Sequence, residues 1–99
     1  MAKVVRCYKP GGVQEDLTEV LSLEQAQKLI GGWVESITYG KLTIWCDEEG
    51  KIKQLPPTMR INGNLQVGTL YAGRLSGKGL VPVDEDDLLK FEDTAMTPI

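Results

Sequence analysis

Apolar residues recur at helical spacing between residues 23 and 30, and on either side the chain reads as short runs of strand character separated by Gly, Pro and Asn turn signals. Residues 3–9, Lys-Val-Val-Arg-Cys-Tyr-Lys, are β-branched and aromatic and predict a strand. Pro10-Gly11-Gly12 is a turn, and residues 13–19 read as a second, polar strand closing an N-terminal hairpin. Leu21-Ser22-Leu23-Glu24-Gln25 then fits a capping box, with Ser22 as N-cap and Gln25 three residues on. Leu21 and Ala26 are placed to staple that end. Leu23, Ala26, Leu29 and Ile30 form one apolar stripe, and Gly31-Gly32 stops the helix, giving a span of 23–30.

A meander is predicted next. The runs Trp33–Tyr39 and Leu42–Asp47 flank Gly40-Lys41, a type II′ hairpin signal. That loop pairs Tyr39 with Leu42, Ile37 with Ile44 and Glu35 with Cys46. Tyr39, Leu42, Ile37, Ile44 and Cys46 share one face, read as the core; Ser36, Thr38, Thr43 and Trp45 share the other. Trp33 falls on the inward face by the same alternation. At Glu48-Glu49-Gly50 a two-residue loop would turn Ile52 outward. A three-residue loop pairs Cys46 with Ile52, turns Ile52 inward and sets Lys53 beside Trp45, and the apolar pattern selects it. Pro56-Pro57 ends that strand and Asn62-Gly63 marks a turn. Leu65–Leu75 reads as one long strand, with Gly68 and Gly73 as bulges or close approaches. Ser76-Gly77-Lys78-Gly79 is a loop, Leu80–Val83 a short strand with Pro82 at an edge, and Asp84-Glu85-Asp86-Asp87 opens a short C-terminal helix. The expectation is a single α+β domain over residues 1–93: a mainly antiparallel sheet of about five to six strands, one helix on a face, a short C-terminal helix, and a frayed tail at 94–99.

Composition narrows the chemistry. With 99 residues and 41% hydrophobic content the chain suits one core. No apolar run reaches the roughly 18–20 residues of a membrane helix, and Met1-Ala2-Lys3-Val4-Val5-Arg6 is not a signal peptide, so the cytoplasm is the expected location. The chain has no histidine, which removes the usual general base and the Ser-His and Cys-His nucleophile pairs. Two cysteines, Cys7 and Cys46, are expected as free thiols and do not make a zinc site, so neither metal nor cofactor is called for. Residues 1–83 hold ten Lys/Arg against eight Asp/Glu, while residues 84–99 hold one against six. The basic residues are scattered, against the dense stripe of a nucleic-acid binder.

Trp45, flanked by Ser36, Thr43 and Lys53, is the leading contact residue if its face is open: an indole beside a cation suits a partner hot spot or a stacking platform. The alternative is cover by the C-terminal helix or the 56–64 loop. Glu35 lies on the core side opposite Cys46, as a ligand-binding or proton-accepting carboxylate or as a sheet-end residue reaching water. Tyr71 and Arg74 join the candidate binding set as a stacking ring and a phosphate-meeting cation. Ser76-Gly77-Lys78-Gly79 lacks the spacing of a P-loop and reads as a hairpin loop.

Ile30-Gly31-Gly32, Glu35 on the strand that follows, Asp47-Glu48-Glu49-Gly50-Lys51-Ile52, Leu55-Pro56-Pro57 and Gly68-Thr69 occur together over residues 1–92. The combination resembles a family of small proteins of unknown function from phages, plasmids and their bacterial hosts, with a V/I-G-G helix end, an E-G-K turn and a leucine-proline step. Thr58 stands where that family often has asparagine, which puts a family role for that position in doubt. The resemblance implies a mobile-element accessory protein and carries no catalytic residues.

Three functions are weighed. The first is a non-catalytic protein that binds and modulates a host protein, counter-defence included. The second is a small-molecule, nucleotide-type binder using Trp45 or Tyr71 with Lys53 or Arg74. The third is an enzyme built on Glu35 and Cys46, for which one carboxylate is a thin constellation. Self-association is left open.

Overall fold

A computed structural model describes residues 2–98. It contains β1 (Lys3–Lys9), β2 (Val13–Leu17), α1 (Leu23–Ile30), β3 (Val34–Tyr39), β4 (Leu42–Asp47), β5 (Pro57–Ile61), β6 (Asn64–Val67), β7 (Leu70–Ser76), β8 (Gly79–Val81), β9 (Val83–Asp84), α2 (Glu85–Thr94) and β10 (Met96–Pro98). The class is α+β, as the alternation and the capping box predict.

Five strands run in the order β2-β1-β7-β4-β3, with β8 added to β7 and β9 to β1; a second sheet has the order β10-β5-β6. Every strand pair is antiparallel. The β3–β4 register is the one the Gly40-Lys41 turn predicts: Tyr39 opposite Leu42, Ile37 opposite Ile44, Glu35 opposite Cys46. Gly40 has φ 57°, as the first position of a type II′ turn requires.

Opposed residues on neighbouring strands share a face, so the register sorts the large sheet into two sides. Glu15, Cys7, Tyr71, Trp45 and Ser36 make one row across β2, β1, β7, β4 and β3; Asp16, Arg6, Ala72, Ile44 and Ile37 make the adjacent row on the opposite side. Each side has its own core. Val5, Cys7, Trp45, Tyr71 and Leu80 are buried with Leu21, Ala26 and Ile30 beneath α1. Val4, Tyr8, Leu42, Ile44, Cys46 and Ala72 are buried with Met59 and Ile61 of the small sheet and Leu88, Phe91 and Ala95 at α2. Tyr8 and Tyr39 meet Phe91 edge-on, with ring centroids 6.2 and 5.5 Å away.

The capping box forms as read, with Gln25 N–H donating to Ser22 Oγ and Ser22 N–H to the Gln25 side chain, each at 3.2 Å; Gly31 caps the C-terminus at φ 98°. The apolar stripe is narrower than its spacing suggests. Ala26 and Ile30 are buried, whereas Leu23 and Leu29 are exposed.

Several expectations are corrected. Residues 48–54 form no hairpin with β4. They coil into successive turns, with Gly50 N–H bonded to Asp47 O, Lys53 N–H to Glu49 O and Leu55 N–H to Gly50 O. Ile52 is consequently 80% exposed and pairs with nothing on β4. Local amide satisfaction outweighed one apolar side chain. Pro57 begins β5 instead of ending a strand. The run Leu65–Leu75 breaks at Gly68, whose φ is 75° and whose N–H donates to Pro56 O at 2.8 Å, so its halves belong to different sheets. Trp33, expected inward, is 68% exposed just before β3 begins. Thr94 ends α2, and Met96–Pro98, expected to fray, pair with β5 as Met96 opposite Ile61 and Thr97 opposite Arg60. Ile99, the end of that expected tail, lies outside the described residues.

Candidate functional site

The two sheets are packed tightly through Met59 and Ile61 and splay apart beyond them, leaving a cleft of ≈ 390 Å³. Its position follows from three local decisions in the chain. The β3–β4 hairpin puts Glu35, Ile37 and Cys46 on the side facing the small sheet. Asn62 and Gly63, at φ 49° and 84°, make the type I′ turn of the β5–β6 hairpin. Asn64 and Gln66, two residues apart on β6, then share the face of Ile61 and look across at β3 and β4. The third is the 48–54 turn, which brings Glu48, Lys51 and Ile52 to the mouth.

Asp47 anchors that turn. Its side chain is 2% exposed; Oδ1 accepts the Glu49 N–H at 2.8 Å and Oδ2 accepts Lys53 Nζ at 2.8 Å. Lys53 also donates to the Gly31 carbonyl at 3.1 Å, fastening the turn to the end of α1. Gly50 lies so close to β6 that a Cβ there would stand 2.8 Å from Val67 Cγ2. The turn is thus wedged between helix, sheet and hairpin, and holds the mouth open. Thr58, at the position singled out by the resemblance, donates its hydroxyl to Gly68 O and pins the break between β6 and β7.

The cleft is lined by charged, amide and apolar side chains. Among the described residues Glu35, Glu48 and Lys51 have no salt-bridge partner, while Asp47 is committed to Lys53. The wall of Asn62, Asn64 and Gln66 offers amide donors and acceptors. Cys46 points its thiol at the Glu35 carbonyl, 3.6 Å away. Burial, aided by the charges of Glu35 and Asp47, pushes that thiol up to about 11, so at neutral pH it is protonated and unactivated. Among the described residues no cluster of three metal-ligating side chains occurs.

Of the seven residues the sequence nominated, the fold brings Glu35 to this cleft and disperses the others. Trp45, expected to face solvent, is 3% exposed: α1 and the Leu21–Leu80 bridge roof its face. Thr43 and Tyr71 are buried on the same side. Tyr71 stands opposite Cys7 in the β1–β7 register, and burial raises both the phenol and the thiol. Ser36 is exposed on β3, the edge strand of the large sheet. Lys53 is tied to Asp47 and Gly31 rather than set beside Trp45, and Arg74 lies exposed on β7 opposite Val81. The stacking ring and phosphate cation of the nucleotide reading are therefore not assembled. The amides Asn62, Asn64 and Gln66 went unread, although Asn62-Gly63 sets the hairpin and the two-residue spacing of Asn64 and Gln66 sets their common face.

Residues 3–94 match the Domain of unknown function (DUF3846). The chain belongs to this family. The DUF3846 match extends from the first residue of β1 to the last of α2 and includes every residue of the cleft. No curated protein and no solved structure matches the chain. Among the described residues no helix is long and apolar enough to cross a membrane.

Proposed function

We propose that this DUF3846 protein is a non-catalytic binding protein of the mobile-element accessory type, acting in the host cytoplasm by holding part of a host protein in the cleft between its sheets. One observation supports this above others: amide side chains of Asn64 and Gln66 face the free carboxylate of Glu35 and the protonated thiol of Cys46 across an open gap. Amides and a carboxylate read backbone and polar side chains of a partner, and an unactivated thiol adds no bond-making step. The test is capture from host lysate with the wild-type chain and with Asn64→Ala/Gln66→Ala, followed by mass spectrometry. A partner retained by the wild type and lost by the double variant supports the reading. Equal capture by both moves the site elsewhere, and no specific partner removes the proposal.

A small polar molecule is the second reading, favoured by the cleft's ≈ 390 Å³, within the span of small-molecule sites. A thermal-shift panel tests it: a ligand at about 100 times its Kd adds about 2.7 kcal/mol, and flat melting curves dismiss it.

A further inference from the structure

Sheet edges are where a β protein is open to another chain, and proteins normally blunt them with charge, proline, bulges or brevity. The edges of this fold differ in that respect. β2 is short and carries Glu15 and Asp16, held by Lys9 and Arg6. β6 and β8 have four and three residues, and β10, at the other edge of the small sheet, three with Pro98 among them. β3 has none of these devices. It is six residues, Val-Glu-Ser-Ile-Thr-Tyr, with an unbroken register to β4, no proline, no lysine and one carboxylate.

Its free hydrogen-bonding groups can be named. Tyr39 and Leu42 flank the two-residue turn and are a hydrogen-bonded pair, so Tyr39, Ile37 and Glu35 direct their amides and carbonyls toward β4. The Cys46 thiol contact to the Glu35 carbonyl agrees with that direction. Val34, Ser36 and Thr38 therefore turn theirs outward, where among the described residues no strand lies.

We propose that β3 pairs antiparallel with β3 of a second copy of this chain, about a two-fold axis at Ser36. In that register Ser36 meets the partner's Ser36, Val34 meets the partner's Thr38, and every outward amide and carbonyl of β3 finds a mate. Glu35 falls opposite the partner's Ile37, so the single carboxylate of the strand never confronts its own copy, which directly opposed like charges would penalise. A shift of the axis to Glu35 would set the two carboxylates face to face. Six paired residues alone fall short of the roughly 1,200 Å² of a stable interface. The same register places Trp33, 68% exposed, opposite the partner's Tyr39 at each end, which gives that unburied indole a place to be buried. The axis stands perpendicular to the sheet, so the two clefts open on the same side of one continuous ten-strand arrangement.

Sedimentation equilibrium of the full chain from micromolar to millimolar concentration tests this, together with amide exchange at both limits. The expected result is a doubled mass at the upper end, with the Ser36 and Thr38 amides slowing as it appears. Ser36→Pro removes an amide that the β3–β4 ladder does not use, so the variant keeps its far-ultraviolet dichroism and stays monomeric. Trp33→Ala weakens the dimer about 30-fold, the loss of one hot-spot residue. A monomer at every concentration overturns the proposal. So does a dimer in which Ser36 and Thr38 exchange as freely as in the monomer, a result that needs no variant to fold.

Discussion

Trp45 and Cys46 are neighbours on β4 and lead opposite lives. Trp45 enters the core beneath α1, closed by helix and by the Leu21–Leu80 bridge. Cys46 enters the core shared with the small sheet, at its margin, where the two sheets part and a cleft begins. Both are buried, yet one face is sealed and the other ends in an opening. The difference comes from what lies on top of the strand. The helix with the Leu21–Leu80 bridge closes its face, whereas the three-stranded sheet packed through Met59 and Ile61 leaves a rim. A sheet face opens into a cleft where its covering layer runs out.

The largest expected effect is on the sealed side. Trp45→Ala empties the centre of the α1-covered core and is expected to cost about 3–5 kcal/mol by urea unfolding. A loss under about 0.5 kcal/mol, the range of a surface substitution, would mean that face is open. Gly79→Ala attacks the same roof from above. Gly79 has φ 126°, and a Cβ there would stand 2.1 Å from the Leu21 carbonyl, so the strand bridge must open. The expected loss is about 1–3 kcal/mol, read from the same curves, with protection of the Leu21 and Leu80 amides falling first.

The sequence carried one of the two sides well and the other poorly, for a physical reason. Strand alternation and the Gly40-Lys41 turn determine which side chains share a face, and they placed Glu35 opposite Cys46 and Trp45 opposite Ser36 correctly. They carry no information on which element covers a face. That depends on contacts between residues far apart, such as Leu21 with Leu80, which local periodicity does not encode. The 48–54 segment failed differently. Its apolar Ile52 invited a strand, but the buried carboxylate of Asp47, capping the Glu49 amide and binding Lys53, favours a coil of turns. The Asn62-Gly63 turn was legible but the amide wall was not, because amides alternating with apolar residues carry no mark of function until a facing wall is known.

On the cleft side, Lys53→Met is expected to cost about 1–2 kcal/mol, because Asp47 keeps the Glu49 amide but loses its cation, while water reaches part of the vacated position. The same variant should loosen the mouth, seen as faster exchange of the Lys53 and Leu55 amides. No change in exchange there would detach the turn from the site. A weaker effect is expected at the opposite margin, where Arg6 grips Asp16 through two bonds of 2.8 and 3.0 Å and reaches Glu92 at 3.1 Å. The hydrogen bond to Arg6 holds the Asp16 carboxyl below its ordinary 3.8. A carboxylate depressed in the folded state stabilises at pH above its unfolded value, and that contribution is lost as pH falls through the folded value. Stability should therefore decline on acidification below about pH 4, and Asp16→Asn should flatten that decline. An unchanged acid limb in the variant would assign the slope to other carboxylates.

The smallest expected effect is the most informative about the rim. Ile52 and Trp33 are 80% and 68% exposed, so removing them from the isolated chain uncovers nothing. Ile52→Ser and Trp33→Ala should each change unfolding free energy in the dilute monomer by less than about 0.5 kcal/mol, against several for Trp45. Two tryptophans twelve positions apart would then divide cleanly, one holding the fold and one free of it. If Trp33→Ala destabilised the monomer as Trp45→Ala does, its indole would be packed on the chain itself, and it would have nothing left to offer a second copy. If Ile52→Ser did so, the 48–54 turn would have to fold its isoleucine inward, and the mouth of the cleft would be closed.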